Sequence, residues 1–300
     1  MDIGISTIVD LDVPLTKLVG QVAEAGFTHL SLSHDIGHGC YHLPEGRKEL
    51  VKLLAGSGIK LNYIHAPLED YHDVCSLDPQ VRRLTIETYK LGIIACAEIG
   101  GLSVVAHAAN IHPVREEDIE PRIAASIESL HTLSDFAVEQ GVVFCIENLP
   151  CDRDYGMLSL RIIEEADWPG LRLCIDPCHA QIGVDDPMAL MRSMAPRVHT
   201  THFSDTMGSD DSHPIPGEGR VDFGAVARLL GEAGFDGVLD LECSLWMLRR
   251  RDAIRQHHPG DPVPSSTEAY LARAAAAARR IGDQIDQART EHFKAEGSRA

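Results

Sequence analysis

The sequence predicts a single (β/α)8 barrel, the TIM-barrel architecture of the α/β class. Eight short apolar runs rich in β-branched residues recur along the 300-residue chain, separated by helix-compatible stretches. No GxGxxG motif follows the first run, which argues against a Rossmann sheet. Eight βα units without a reversal of pattern, in a chain of this length, favour closure into a barrel over an open doubly wound sheet.

The strands are predicted from their apolar, β-branched composition, and they cover about residues 3–8, 27–33, 59–65, 102–107, 142–147, 171–176, 197–202 and 237–242. The stretches between them carry ordinary helix signals. Pro14 opens the first helix, and a glycine that favours a left-handed cap follows several of the others: Gly26, Gly58, Gly141 and Gly234. These signals support a regular βα repeat.

The end of the chain completes the predicted domain. The polar, Pro-rich segment 248–265 is predicted to be a loop or short helix after the last strand, flanking the site. From Ser266 an Ala- and Arg-rich stretch predicts a long helix that closes the barrel. We therefore predict one domain over residues 1–292 and a frayed tail at residues 293–300.

Composition limits the partners and the location of the protein. The 27 basic and 45 acidic residues give a formal charge of −18, which disfavours nucleic acid as a partner. No apolar run is long enough to span a membrane, and the first residues lack a signal peptide, so we expect a cytoplasmic protein. The eight cysteines contain no CxxC pair and are expected to be free core thiols. Barrels of this class often pair through their helices, which leaves a homo-oligomer open.

Nine possible metal ligands lie where a barrel would bring them together. Five of them close predicted strands: His65, His107, Glu147, Asp176 and Glu242. The other four end a predicted strand or lie just beyond one: His179, His202, Asp211 and His213. Because the C-terminal ends of all eight strands meet at one mouth of a barrel, these side chains are expected to share one volume.

Four of these residues come from consecutive strands and predict a metal site: Glu147, Asp176, His202 and Glu242. Carboxylates with one imidazole suit a divalent ion such as Mn²⁺, Co²⁺, Mg²⁺ or Zn²⁺. Glu147 and Glu242 are separated by two strands and are expected to face each other across a bound substrate. One would remove a carbon-bound proton and the other return it, through a metal-stabilised enediolate.

Other polar residues are predicted to contact the substrate. His179 follows Asp176 by three residues and is assigned to a substrate oxygen, with metal ligation as the alternative. His65 and His107 are assigned to the polar wall of a sugar pocket rather than to the metal. Arg220, beside the Gly217-Glu218-Gly219 turn, is a candidate for binding a phosphate or carboxylate, although a Gly-x-Gly turn alone is a weak signal.

At these residues the chain resembles the xylose isomerase-like TIM barrel superfamily, which contains sugar phosphate isomerases and epimerases and is related to endonuclease IV. The likeness covers about residues 3–245, and its most specific parts are Ile146-Glu147-Asn148, the segment Cys174 to Ala180, and the segment His202 to Gly219. The resemblance implies a metal held at Glu147, Asp176, His202 and Glu242, with both glutamates as acid and base and His179 on the substrate. It therefore implies an isomerase or epimerase of a sugar, sugar phosphate or related polyol or keto compound.

Alternatives remain open on the same scaffold. The endonuclease IV branch is similar at all nine positions, including Asp211 and His213, and implies a multinuclear zinc phosphodiesterase in which His65, His107 and His179 are additional ligands. An inosose-type dehydratase would use the same metal site. A barrel that keeps its metal only as a binding module is the non-enzymatic alternative. The sequence leaves open the substrate, its phosphorylation, the metal's identity and the number of metals.

Overall fold

The computed structural model describes residues 1–68, 71–109, 115–150, 161–162, 165, 168–208, 211–254 and 266–297. It contains eight parallel strands, and each predicted run forms one of them. Their bounds are β1 Ile3–Ser6, β2 His29–Leu32, β3 Lys60–His65, β4 Ser103–His107, β5 Val143–Glu147, β6 Leu171–Ile175, β7 Val198–Thr201 and β8 Leu239–Leu241.

The strands close into a barrel. Seven consecutive parallel pairings give the order β7-β6-β5-β4-β3-β2-β1-β8. Closure between β8 and β7 is made just beyond the end of β7, where Phe203 N donates to Asp240 O (2.9 Å) and Glu242 N donates to Phe203 O (3.1 Å). The prediction of a single (β/α)8 barrel is therefore confirmed.

Helices surround the barrel, and their bounds are α1 Leu15–Ala25, α2 Ile36–Gly39, α3 Pro44–Ser57, α4 Pro79–Ile99, α5 Ile119–Gln140, α6 Pro177–Gly183, α7 Pro187–Met194, α8 Phe223–Glu232, α9 Leu245–Ile254 and α10 Thr267–Gly297. Pro14 caps the start of α1, as predicted, and Gly26 ends it with a φ of 87°. No helix in the described ranges is long and apolar enough to cross a bilayer.

The C-terminal helix completes the outer layer. α10 packs against α8 on one side and α1 on the other, so it fills the gap between the last and first βα units. Its buried face includes Tyr270, Ile281 and Ile285. The frayed tail was predicted to begin at residue 293, whereas the helix continues to Gly297, and residues 298–300 lie outside the described part. Segment 248–265 contains the end of α9, and its remainder from residue 255 is likewise not described.

The barrel interior is polar as well as apolar. Asp240 is fully buried, and its Oδ2 accepts hydrogen bonds from Ser31 Oγ (2.7 Å) and Asn62 Nδ2 (2.8 Å), which links β8 to β2 and β3. Gly4 on β1 lies opposite this carboxylate, and a Cβ at that position would collide with Asp240 Oδ2. Cysteines in the described chain are free, and all but Cys40 are buried, as predicted for core thiols.

Candidate metal centre and active site

The period of two along each strand places the candidate ligands inside the barrel. Tyr63, Val105, Cys145 and Cys174 form a buried cluster in the barrel interior. Two residues further along the same four strands or their immediate extensions are four candidate ligands: His65, His107, Glu147 and Asp176. Because side chains alternate between faces, residues two apart point to the same side. The inward-facing residues at the C-terminal ends of these four strands therefore line the mouth of the barrel.

Glu147 lies at the centre of this group and is almost fully buried. Its Oε1 is 3.0 Å from Nδ1 of His202 and 3.0 Å from Nδ1 of His179. Its Oε2 is 3.4 Å from Nε2 of His65 and 3.3 Å from Nε2 of His107. The two oxygens thus face two different sets of imidazoles, which is an arrangement suited to a carboxylate shared by two cation positions.

The predicted quartet of Glu147, Asp176, His202 and Glu242 comes together with its ligand atoms within 4.8 Å of one another. His202 Nδ1 lies 3.0 Å from Glu147 and 3.1 Å from Glu242, yet neither of its ring nitrogens has hydrogen-bond geometry with a partner in the described chain. Asp176 Oδ2 also lacks a hydrogen bond there. Adjacent ligands of an octahedral ion with bonds of about 2.1 Å are about 3.0 Å apart, so these residues fit a divalent metal.

Backbone carbonyls orient three of the histidines. His65 Nδ1 donates to Ala66 O (2.8 Å), His213 Nδ1 to Glu242 O (3.0 Å) and His179 Nδ1 to Asn148 O (3.0 Å). A carbonyl can only accept, so each Nδ1 carries a proton. Nε2 of His65 faces Glu147 and Nε2 of His213 faces Asp211, while His179 presents Nε2 to Asp211 and its Nδ1 also lies 3.0 Å from Glu147 Oε1. Bonds of this kind fix the tautomer of metal-binding histidines.

Two further ligand clusters flank the quartet. His65, His107 and Glu147 form one of them. In the other, Asp211 lies 3.3 Å from His179 Nε2 and 2.8 Å from His213 Nε2, and its side chain is 38% exposed. A fourth group, His65 with His202 and Glu242, overlaps the quartet, so all nine candidate ligands meet at one mouth in four neighbouring or overlapping groups.

Asn148 was given no role by sequence reasoning, although it follows Glu147 directly. Its side-chain amide donates to Asp176 O and accepts from Asp176 N, both at 2.8 Å. Asp176 in turn accepts from His179 N (3.0 Å) and so caps α6. This chain of contacts fixes Asp176 and His179 relative to Glu147. An amide directly after a strand-end ligand is the signal that would have indicated it.

Burial disfavours the charged form of each carboxylate and imidazole at the site, whereas attraction between these groups favours it. The two effects therefore shift the pKa of each group in opposite directions. Burial alone would raise the pKa of Glu147, but His202 and the bonds to His107 and His179 hold it well below its usual range. Burial likewise opposes the shift at Glu242, whose pKa His202 lowers to about 2. The pKa of His202 is raised well above its usual value, because Cys174, Glu147 and Glu242 outweigh desolvation. Without a metal, imidazolium protons thus balance the buried carboxylates.

Arg220 is not part of this group. The Gly217 and Gly219 amides of its turn both donate to Asp205 Oδ2 at 2.8 Å, while Asp205 Oδ1 accepts from Thr206 N and Val221 N. The anion held by this turn is therefore the chain's own buried Asp205 carboxylate. Arg220 is exposed and does not line the cavity at the site, so the structure lends no support to its predicted substrate contact.

The site opens into a cavity of about 300 Å³. Candidate ligands line it together with apolar side chains that had no predicted role: Ile8, Leu68, Trp246 and Met247. His34, at the rim, packs edge-on against His65 with ring centroids 6.2 Å apart. These residues lie just after β1, β2, β3 and β8. In the sequence, only their position just after a predicted strand could have indicated that these residues line the cavity, because their spacing along the chain follows no motif.

The family model for the xylose isomerase-like TIM barrel matches residues 19–257 of this chain. The chain belongs to the xylose isomerase-like TIM barrel family. This membership confirms the resemblance inferred from Glu147-Asn148 and the segments at Asp176 and His202. The matched region contains all nine candidate ligands.

Relatives within this family include proteins named as sugar epimerases. An uncharacterized protein of Methanocaldococcus jannaschii is 26% identical over 250 residues, which cover 81% of this chain and 83% of that protein. Fructoselysine 3-epimerase of Shigella flexneri is 25% identical over 190 residues, 60% of this chain and 66% of that enzyme. A solved D-tagatose 3-epimerase-like protein has a TM-score of 0.74 and 22% identity, covering 98% and 100% of the two chains.

A second solved structure, D-psicose 3-epimerase from Clostridium cellulolyticum H10 with D-tagatose, has a TM-score of 0.75. Its sequence identity is 18%, and the match covers 95% of this chain and 99% of that one. At these identities the structural likeness establishes the barrel fold.

Proposed function

We propose that this protein is a divalent-metal-dependent isomerase or epimerase of a sugar or related polyhydroxy carbonyl compound. The observation that carries the proposal is the pair Glu147 and Glu242, both buried and both within 3.1 Å of His202 Nδ1. Glu147, Asp176, His202 and Glu242 would hold the metal, with Mn²⁺, Co²⁺, Mg²⁺ or Zn²⁺ as candidates. The bound ion supplies Lewis acidity toward a carbonyl and its neighbouring hydroxyl.

The two glutamates would transfer the proton. Their pKa values are held low, so each is ionised and able to accept a carbon-bound proton at neutral pH. Because Glu147 projects from β5 and Glu242 follows β8, they approach a substrate in the cavity from different sides. One ionised glutamate would remove the proton next to the carbonyl. The other, having first taken a proton from water, would deliver it at the neighbouring position or on the opposite face, and the first glutamate would then return its proton to water. His179 would orient a substrate oxygen.

The relatives support this proposal. The names fructoselysine 3-epimerase, D-tagatose 3-epimerase-like protein and D-psicose 3-epimerase all describe stereochemical change at a sugar carbon. The cavity, at about 300 Å³, is at the small end of the range for ligand pockets and fits a small molecule.

The test is exchange of substrate carbon-bound hydrogen with D₂O, followed by NMR over a panel of ketoses with metal-loaded protein. Glu147→Gln and Glu242→Gln should each reduce exchange at least about a thousandfold, since each removes a proton-transfer group. Glu139→Gln on exposed α5 is the matched control and should retain full exchange. Wild-type exchange in either site variant would contradict the proposed roles.

A second candidate function is a multinuclear zinc phosphodiesterase of the endonuclease IV type. The two clusters that flank the quartet, His65-His107-Glu147 and His179-Asp211-His213, favour it because they offer additional cation positions. The charge of −18 opposes binding to a nucleic-acid backbone.

Metal stoichiometry distinguishes the two candidates. Elemental analysis of protein purified without chelators should give about one divalent ion per chain for the isomerase or epimerase, and about three zinc ions for the phosphodiesterase. Cleavage of an abasic duplex is the matching activity assay. A dehydratase on the same scaffold would be recognised by loss of water from the product rather than by a stereochemical change.

A further inference from the structure

We propose that Asp240 is a positioning residue that holds His202 and Glu242 at the spacing required to bind one metal ion. It acts through buried polar side chains on four strands, which we call the polar belt: Ser31, Asn62, Thr200, Thr201 and Asp240. The inference rests on the proposed function, because His202 and Glu242 are two of the four residues that would hold the ion. None of the five belt residues lines the cavity at the site, so the belt would act through the strands.

The carboxylate of Asp240 is bonded to two other strands. Asp240 lies on β8 two residues before Glu242, so both side chains project from the same face. Its Oδ2 accepts hydrogen bonds from Ser31 Oγ on β2 (2.7 Å) and from Asn62 Nδ2 on β3 (2.8 Å). On β1, Gly4 pairs with Asp240 and leaves the space that this side chain occupies. These contacts compensate a buried carboxylate and fix the direction in which the end of β8 presents Glu242.

An irregularity in β3 brings a partner of this carboxylate into the barrel. The parallel register between β2 and β3 shifts by one residue at Asn62 and Tyr63, as in a β-bulge. These two consecutive side chains therefore both reach the barrel interior, where strict alternation would allow only one. Asn62 Nδ2 donates to Asp240 Oδ2 and to Thr200 Oγ1, the second bond at 3.1 Å. The Tyr63 ring packs against the His202 ring with centroids 4.9 Å apart, so β3 contacts both β8 and the end of β7.

A threonine side chain joins β7 to β8 where the barrel closes. Within the described residues, no ladder pairs these two strands directly. Instead, Thr201 Oγ1 donates to Asp240 O (2.9 Å) and accepts from Asp240 N (2.8 Å). His202 follows Thr201 directly, and its Nδ1 lies 3.1 Å from Glu242 Oε2. The separation of these two candidate ligands thus depends in part on side-chain bonds that a substitution can remove without changing either ligand.

Metal affinity in belt variants tests the positioning role. Asp240→Ala removes the carboxylate, and Thr201→Val removes the hydroxyl while keeping the shape of the side chain. Calorimetric titration with Mn²⁺ should show Kd raised about 10–100-fold in each variant, as is usual when a residue that orients a metal ligand is lost. Asp240→Asn keeps an oxygen that can accept from Ser31 and Asn62, so most of the affinity should return. If Asp240→Ala did not fold, Thr201→Val would provide the same test.

Leu54→Ala is the matched control, because Leu54 is buried on α3 and belongs neither to the belt nor to the cavity lining. It should lower stability in urea unfolding and leave the Kd for Mn²⁺ at the wild-type value. The visible absorption of bound Co²⁺ gives a second readout, since it responds to the geometry of the ligands. We expect a changed spectrum in Thr201→Val and the wild-type spectrum in Leu54→Ala.

Two results would overturn the inference. One is a wild-type Kd and Co²⁺ spectrum in both Asp240→Ala and Thr201→Val. The other is an Asp240→Asn variant that binds Mn²⁺ as weakly as Asp240→Ala, because the carboxylate would then act through its charge and not through the hydrogen bonds of the belt.

Hydrogen exchange of the metal-free protein gives a readout that needs no bound ion. The amides of Phe203 and Glu242 bond across the closure of the barrel, to Asp240 O and Phe203 O. Thr201→Val should speed their exchange about tenfold relative to the amides of β5, whereas Leu54→Ala should leave that ratio unchanged. An unchanged ratio in Thr201→Val would contradict the role of the belt. If the wild-type protein bound no divalent ion, the proposed function would fail, and hydrogen exchange would still decide whether the belt holds β7 and β8 together.

Discussion

At the scale of single residues, Glu147 determines how the site is organised. A buried carboxylate is costly unless charge and hydrogen bonds compensate it. Here His202 and His179 compensate one oxygen, and His65 and His107 face the other. The same contacts depress the pKa of Glu147 despite its burial. A metal ion can take the place of the imidazolium protons around Glu147, because its positive charge compensates the buried carboxylate as those protons do.

Metal binding should therefore release protons. Nearby carboxylates raise the pKa of His202 well above its usual value, and Asp211 raises that of His213 to about 9 against the effect of burial. Both are protonated at neutral pH in the metal-free protein, whereas His202 must be neutral to bind a metal at the quartet. Apparent metal affinity should thus rise with pH, by about tenfold per pH unit for each proton released, until the raised pKa is passed.

Isothermal titration calorimetry of Mn²⁺ or Zn²⁺ in two buffers of different ionisation enthalpy measures the number of protons released. His202→Gln should lower that number, while His131→Gln on the exposed face of α5 should not. Binding enthalpy that is independent of the buffer would contradict the expected exchange.

At the scale of elements, Asp205 organises the connection between β7 and α8. Its buried carboxylate accepts hydrogen bonds from four backbone amides: Thr206, Gly217, Gly219 and Val221. These bonds draw the two ends of the connection together. Asp211 and His213 lie within it, so their positions at the mouth depend on a residue that does not line the cavity.

Asp205→Asn should destabilise the protein by about 3 kcal/mol, because the new amide group faces backbone donors and leaves some of them unsatisfied. Urea unfolding of the metal-free protein measures this change. Asp222→Asn is the matched control: Asp222 is exposed and caps α8 by accepting from Ala225 N, and asparagine caps a helix equally well. Equal stability of the two variants would argue against the proposed role of Asp205.

At the scale of the whole molecule, the barrel and its outer layer are both closed by the end of the chain. β8 joins β1 to the extension of β7, and α10 lies between α8 and α1. The contacts that complete the fold thus link parts of the chain that are far apart in sequence. The stability of the site should depend on this distant helix, because Glu242 follows β8 directly.

Ile281→Ala on the buried face of α10 should lower the free energy of unfolding by about 2–5 kcal/mol, through lost burial and a cavity. Val138→Ala on α5 is the control, since Val138 is 55% exposed, and it should change stability by less than about 0.5 kcal/mol. Chemical denaturation followed by circular dichroism measures both. A small effect in Ile281→Ala would mean that α10 is not integral to the barrel.

The sequence by itself determined the eight strands, the barrel and the convergence of all nine candidate ligands. These follow from local properties: apolar β-branched runs set the strands, and parallel strands bring their C-terminal ends to one mouth. Residues that end such runs, such as His65 and Glu147, therefore had a predictable place.

Only the tertiary structure decided how these residues divide into clusters and what faces them. Three features depend on how different strands and the connections after them pack together: the contact of Glu147 with four imidazoles, the engagement of the Gly217 turn by Asp205, and the place of Trp246 and Met247 in the cavity lining. Each such contact joins segments remote in sequence, and its distance and orientation arise from packing of the whole barrel. Local periodicity contains no information about those distances, because it specifies which face a side chain occupies and not which partner it meets there.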